Sequence, residues 1–219
     1  MPTHLEQELE NIRSKVFEMA DIAIEAIGRS IESLKRSDIR LANEVLQRDT
    51  VLDHLEIAID EECIRILVTR QPAAADLRLV LSLLKINTDL ERIGDLATNI
   101  ARETIRLDGK PTLKPLVDLP IMAKMCIDMI KDSFQAITEK NVALAKSVIG
   151  RDKDIDDLNT QVYRELISYM LENPHTITQS LGLIMVSKAL ERIGDHATNI
   201  SEKAVYFIEG EDIRHQETP

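Results

Sequence analysis

Leu90-Glu-Arg-Ile-Gly-Asp-Leu-Ala-Thr-Asn-Ile100 recurs as Leu190-Glu-Arg-Ile-Gly-Asp-His-Ala-Thr-Asn-Ile200, and only Leu96 against His196 differs. A weaker echo lies upstream of each copy. Val45-Leu-Gln-Arg-Asp-Thr-Val-Leu-Asp53 aligns with Val148-Ile-Gly-Arg-Asp-Lys-Asp-Ile-Asp156 at one constant offset. An internal repeat of this kind decides the architecture before any residue does: the chain is built from two similar halves.

Each half carries two acidic pairs spaced i, i+4. They are Asp49/Asp53 with Glu91/Asp95, and Asp152/Asp156 with Glu191/Asp195. Residues four apart share one face of a helix, where two carboxylates repel by roughly 0.2–0.5 kcal/mol. Four such pairs in matched positions call for positive charge between them. If the two helices of a half pack side by side, their pairs converge into a four-carboxylate patch. An oxygen-only donor set suits hard cations. Asn99 and Asn199 lie four residues past the motif aspartates, as further oxygen ligands or as hydrogen-bonding groups. The plainer alternative is a solvated acidic face neutralised by Arg48, Arg92, Arg151 and Arg192. His196 points about 100° around the helix from the carboxylates, which suits a surface or interhelix role, and His54 beside Asp53 reads the same way. Gly94 and Gly194 cost about 1 kcal/mol each inside a helix and mark close approach, by a neighbouring helix in preference to a bulky cluster.

Composition supports long helices. Aromatic residues make up 3% of the chain, Trp is absent, and Gly and Pro number seven each. No stretch alternates as a β-strand would. With 219 residues the chain suffices for one sizeable core or two fused halves. The net charge of −11 (27 basic, 38 acidic residues), without a basic stripe, argues against nucleic acid and against docking on anionic lipid. Cys63 and Cys126 form no CxxC and read as small core residues. The N-terminus does not resemble a signal peptide, and no apolar run approaches the roughly 20 residues of a membrane span. A soluble, cytoplasmic protein is expected.

Apolar positions Leu5, Leu9, Ile12, Val16, Met19, Ala23, Ile27, Ile31 and Leu34 step by three or four, predicting a first helix over about Leu5 to Lys35. Ser37 and Asp38 stop it and cap the second, which runs to about Arg70 and breaks at Gln71-Pro72. The third continues from Ala74–Asp76 to about Leu107. Asp108 to Pro115 is a boundary rich in Gly and Pro. The pattern then restarts, with a fourth helix over about Leu119 to Thr138. A fifth, capped by Asn141, runs to Glu172 before Asn173-Pro174, and a sixth spans Thr178 to Ile208. The expected fold is all-α, six long helices in two pseudo-symmetric three-helix bundles: residues 1–107, a linker 108–118, residues 119–210, and a frayed tail 211–219. Met122, Met125 and Met129 read as core packing before an adaptable contact surface.

Three uses of the carboxylates compete: a regulator, a metal-storage or metal-dependent helical-bundle enzyme, and a structural bundle that binds nothing. A ferritin-like di-iron site needs Glu-x-x-His on two bundle helices. Glu172-Asn-Pro-His175 falls at a helix break, and Asp212-Ile-Arg-His215 matches only loosely, in the tail. No Gly-rich phosphate loop or nucleophile motif is present, so an enzyme is not expected.

Arg70-Gln-Pro-Ala-Ala-Ala-Asp-Leu-Arg78, Leu84-Lys-Ile-Asn-Thr-Asp-Leu-Glu-Arg-Ile-Gly-Asp95, the second copy at Leu190–Ile200 and the opening His4-Leu-Glu-Gln-Glu-Leu-Glu10 resemble the PhoU family over nearly the whole chain. The family's E(D)xxxD signature falls on the eight carboxylates named above. The resemblance implies two three-helix bundles able to hold multinuclear metal clusters: iron, or another hard cation such as Mn, Mg, Ca or Zn. It also implies a homodimer, and a role in phosphate homeostasis restraining phosphate uptake and the phosphate-starvation response. The implied partners are the ATPase subunit of a phosphate ABC transporter and a membrane sensor histidine kinase. One departure stands out. Glu56 and Asp60 extend the first acidic line, where the second half has Asn159 and Tyr163.

Overall fold

The computed structural model describes residues 3–110 and 113–213. Its helices are α1 (His4–Arg36), α2 (Ile39–Arg70), α3 (Ala74–Arg106), α4 (Asp118–Glu139), α5 (Val142–Gly150), α6 (Asp152–Glu172) and α7 (Ile177–Glu209). A short 3₁₀ turn, Pro174–Thr176, precedes α7. No strand occurs among the described residues. The expectation of a frayed tail falls, for residues 214–219, outside the described residues.

The helix boundaries follow local chemistry. Thr3 and Glu6 close a capping box at the start of α1. Ser37 ends α1 in the left-handed region, and Asp38 Oδ1 accepts the Leu41 N–H at 2.9 Å to open α2. Asn141 does the same for α5, accepting from Leu144 N at 3.0 Å. The expected fifth helix differs in one respect: it is interrupted at Arg151. There the Arg151 N–H bonds the Val148 carbonyl at 3.0 Å, three residues back, tightening one turn. Gly150 offers little resistance to that change. The Arg151 side chain is drawn to Asp132 on α4 at 2.5 Å. Together α5 and α6 still act as the middle arm of the second bundle.

Helices α1–α3 form one bundle and α4–α7 the other, joined mainly by α3 against α7 and α1 against α4. α3 and α7 run antiparallel. Gly182, near the start of α7, lies against Glu103 and Arg106 at the end of α3, and Gly210, just past α7, lies against Arg78. One apolar cluster runs through both bundles, from Ile12 and Met19 to Val186 and Ile200. Ile93, Ala97 and Ile100 of the first motif and Ile193, Ala197 and Ile200 of the second are fully buried at matched positions. The pattern that repeats in sequence therefore repeats as core.

The lesser expectations resolve as packing. Met122 and Met129 are fully buried and Met125 packs against the core. Cys63 and Cys126 are buried free thiols. Burial pushes both up to about 12, so they stay protonated and inert.

Candidate metal centre

The motif carboxylates sit where α2 meets α3, and again where α5 and α6 meet α7. Glycine sets the approach. A Cβ on Gly94 would fall 2.6 Å from Leu52 Cδ1 and 3.4 Å from Asp49 Oδ1. A Cβ on Gly194 would fall 2.9 Å from Ile155 Cδ1 and 3.3 Å from Asp152 Oδ1. Missing side chains at matched positions thus bring the first aspartate of each upstream pair against the motif helix. The glycines serve close helix packing, and that packing seats the carboxylates.

Electrostatics confirm that the two rows of each half sense one another. Asp49 is raised above the usual carboxylate range, first by burial and then by Asp53 and Asp95. Glu91 is raised by burial, then by Asp95, with Glu56 and Asp53 adding to it. In the second half burial, then Asp195, Asp156 and Glu191, lift Asp152 to about 6. Asp195 is raised by burial, Glu191 and Asp156. Glu56 belongs to the first row as well, raised by burial, Asp60 and Asp53.

Two of the four expected neutralising arginines turn elsewhere. Arg48 pairs with Glu25 and Arg151 with Asp132. Arg92 stays on the first patch, 3.3 Å from Glu91 and 3.2 Å from Asp95, and Lys188 pairs with Glu191 on the second. Even so, Asp152 Oδ1 and Glu191 Oε2 are buried without a well-formed hydrogen bond, and Glu91 Oε2 has only the Arg92 guanidinium, 3.3 Å away. Buried anionic oxygens left unsatisfied are costly, which makes Asp152 and Glu191 the oxygens most in want of a partner. Among the described residues, no three Asp, Glu, His or Cys side chains already converge as a cage for a metal. The arrangement is two open rows of oxygen donors, with buried lone pairs to spare.

The asparagines take hydrogen bonds. Asn99 Oδ1 accepts from Arg102 at 2.7 Å, and Asn199 Nδ2 donates to Asp89 at 3.3 Å. His196 has an interhelix role: its Nδ1 lies 2.8 Å from Asp89 Oδ1 on α3. The place of Asp89 was not visible in the sequence, because its partners lie 107 and 110 residues away and meet it only through the α3–α7 packing. The half-to-half departure also has a structural counterpart. Asp60 accepts from Asn87 at 2.8 Å, whereas Asn159 accepts from Ser187 at 2.7 Å and Tyr163 is exposed.

Comparison with known proteins agrees with this duplicated geometry. The sequence model of the PhoU domain matches residues 16–104 and again 119–204. The chain is 41% identical to the phosphate-specific transport system accessory protein PhoU homolog of Aquifex aeolicus, covering 96% of this chain and 95% of that protein. It is 35% identical to the Escherichia coli phosphate-specific transport system accessory protein PhoU, over 95% of this chain and 86% of that one. The crystal structure of PhoU from Pseudomonas aeruginosa superposes with a TM-score of 0.90 at 37% identity, covering 94% of this chain and 99% of that one. The phosphate transport system regulatory protein PhoU from Streptococcus pneumoniae gives 0.89 at 25% identity, over 95% and 99%. These relatives are named as accessory or regulatory proteins, not as enzymes. With a domain match in each bundle and relatives aligned over nearly its whole length, this chain belongs to the PhoU family.

Proposed function

We propose that the protein is a negative regulator of phosphate uptake and of the phosphate-starvation response. In this reading it works in the cytoplasm as a homodimer. Under ample phosphate it contacts the ATPase subunit of a phosphate ABC transporter and a membrane sensor histidine kinase. The observation that carries the reading is the near full-length likeness to accessory proteins of the phosphate-specific transport system. No described helix is long and apolar enough to cross a membrane, so the proposed contacts with membrane partners run through its surfaces.

The carboxylate rows supply the second element. Asp49, Asp53, Glu91 and Asp95 would hold one cluster of hard cations and Asp152, Asp156, Glu191 and Asp195 the other, iron or else Mn, Mg, Ca or Zn. Asn99 and Asn199 would join them only by leaving their present hydrogen bonds. The buried, unsatisfied oxygens of Asp152 and Glu191 support this assignment, as does an all-oxygen donor set. A bound cation would supply the countercharge that the two facing helices lack.

The test is phosphate-starvation reporter output in phosphate-rich medium from cells lacking the protein. High output despite ample phosphate is expected. Output that stays repressed, with uptake unchanged, would dismiss the regulator reading.

A further inference from the structure

We infer that Thr198 is a further oxygen ligand of the second cation site, outside the eight signature carboxylates. This rests on the cation reading of that site, to which it adds one residue. On α7, Glu191, then Gly194 and Asp195, then Thr198 follow at intervals of one turn, so they share a helix face. That face is turned to α6, because a Cβ on Gly194 would meet Ile155 and lie 3.3 Å from Asp152 Oδ1. Thr198 stands one turn beyond Gly194, beside the same carboxyl. Burial, Asp195, Asp156 and Glu191 push Asp152 up, while the neighbouring Thr198 hydroxyl draws it down. Yet Asp152 Oδ1 and Thr198 Oγ1 are both buried without a well-formed hydrogen bond.

Two buried oxygens left unsatisfied side by side on facing helices are costly, and one shared hard cation satisfies both. A threonine hydroxyl suits that place: it is a compact, neutral oxygen donor, the group that phosphate loops turn on Mg²⁺. The first half supplies the contrast. Thr98 occupies the matched position and lines a narrow gap with Asp49. Its Oγ1, however, donates to the Asp95 carbonyl at 2.8 Å, and the residue is only 1% exposed. Thr98 is therefore satisfied within its own helix. The helices opposite differ too. Asp49 lies inside the continuous α2, whereas Asp152 opens α6 just after the interruption at Arg151. One motif sequence thus leaves its first threonine committed and its second free to take a ligand's role.

The experiment uses the full-length protein carrying Asp49→Ala and Asp53→Ala, so that Mn²⁺ binding read by calorimetry reports the second half. Thr198→Val keeps the side-chain shape and removes the hydroxyl, and is expected to weaken Mn²⁺ binding about tenfold. Thr198→Ser restores the oxygen and should stay within about threefold of the parent. Thr98→Val should shift the affinity by less than about twofold. Thr198→Cys separates a ligand from a hydroxyl that only packs or positions. A thiol in the coordination sphere favours a soft cation, so the ratio of Cd²⁺ to Mn²⁺ affinity should rise by at least about tenfold. Mn²⁺ binding unchanged in Thr198→Val, or a ratio unchanged in Thr198→Cys, would each overturn the ligand. A parent that binds no Mn²⁺ would overturn it together with the second cation site, a result distinct from failure of Thr198 alone. Unchanged circular dichroism and urea midpoints establish that every variant folds.

Discussion

Asp89 Oδ1 on α3 lies 2.8 Å from His196 Nδ1 on α7, tying the residue just before the first motif to the one position where the second motif departs from it. Asn199 Nδ2 reaches the same carboxylate at 3.3 Å. On the other side of the pseudo-twofold the corresponding positions are Ala189 and Leu96, 7% and 4% exposed. The two halves have thus diverged together at this contact, polar with polar and apolar with apolar.

Replacing His196 by Leu, as in the first copy, should therefore destabilise the protein. Asp89, only 13% exposed in its side chain, would keep Asn199 alone as a partner. A loss of about 1–2 kcal/mol in urea unfolding is expected. Asp89→Ala combined with His196→Leu should cost less than the two single changes added together, because both remove the same contact. Additive losses would show that the pair is not coupled.

Gly94→Ala tests the close approach of α2 and α3. Alanine gains about 1 kcal/mol in helix propensity. Against that, the new methyl meets Leu52 Cδ1 at 2.6 Å, and Leu52 is only 2% exposed. Overpacking costs typically about 1–3 kcal/mol, so a net loss near 1 kcal/mol is expected. Gly194→Ala, with its nearest contact at 2.9 Å, should lose less. Thermal unfolding of the two variants decides the order, and a stabilised Gly94→Ala would show that Leu52 moves aside freely.

What could be read in the sequence was what local chemistry decides. Ser37, Asp38, Asn141 and the two breaks before Pro72 and Pro174 end or start helices through their own backbone and side-chain preferences, and they do so here. The carboxylate faces were legible because spacing alone puts Asp49 with Asp53 and Glu91 with Asp95. The interruption at Arg151 was not, since it is accompanied by an ion pair to Asp132 on another helix. The same holds for the arginines. Arg48 and Arg151 stand beside the motif aspartates in sequence but are claimed by Glu25 and Asp132 in space. Asn99 offered ligation or hydrogen bonding with equal reason, and only the position of Arg102 shows the bond it makes.

Asp152 should give the metal-free protein an unusual pH dependence. Its ordinary value of 3.8 rises to about 6 in the fold. Below about 4 the carboxyl is protonated whether folded or not, and it costs nothing. Between about 4 and about 6 only the folded chain binds the proton, so this group's contribution to stability falls as pH rises, and above about 6 the loss is complete. Asp152→Asn removes the effect. In chelator-treated protein the variant should match the wild type near pH 4 and exceed it by about 1–2 kcal/mol near pH 7, after allowance for solvent screening. Comparing the two proteins at each pH cancels carboxylates shifted the other way, such as Glu8, which Arg70 and Arg65 hold at about 2. A variant no more stable than the wild type at pH 7 would show that Asp152 is charged without penalty.

Cation binding should reverse that penalty and raise thermal stability. A ligand that binds only the folded chain adds about 2.7 kcal/mol at a hundred times its Kd. For a chain of this length each kcal/mol is worth about 2–4 °C in Tm, so a rise of roughly 5–10 °C is expected with an effective cation. Asp49→Ala with Asp53→Ala should remove the share of the first half, and Asp152→Ala with Asp156→Ala that of the second, each lowering the bound metal measured by elemental analysis. The first site is expected to hold its cation more tightly, because Glu56 and Asp60 extend its row where Asn159 and Tyr163 stand in the second. Below about pH 6 protons compete for Asp152, so the second half's affinity for metal should weaken progressively on acidification. A Tm that stays flat across iron, manganese, magnesium, calcium and zinc would mean that the rows bind none of these cations, and that side chains such as Arg92, Arg102 and Lys188 supply their countercharge.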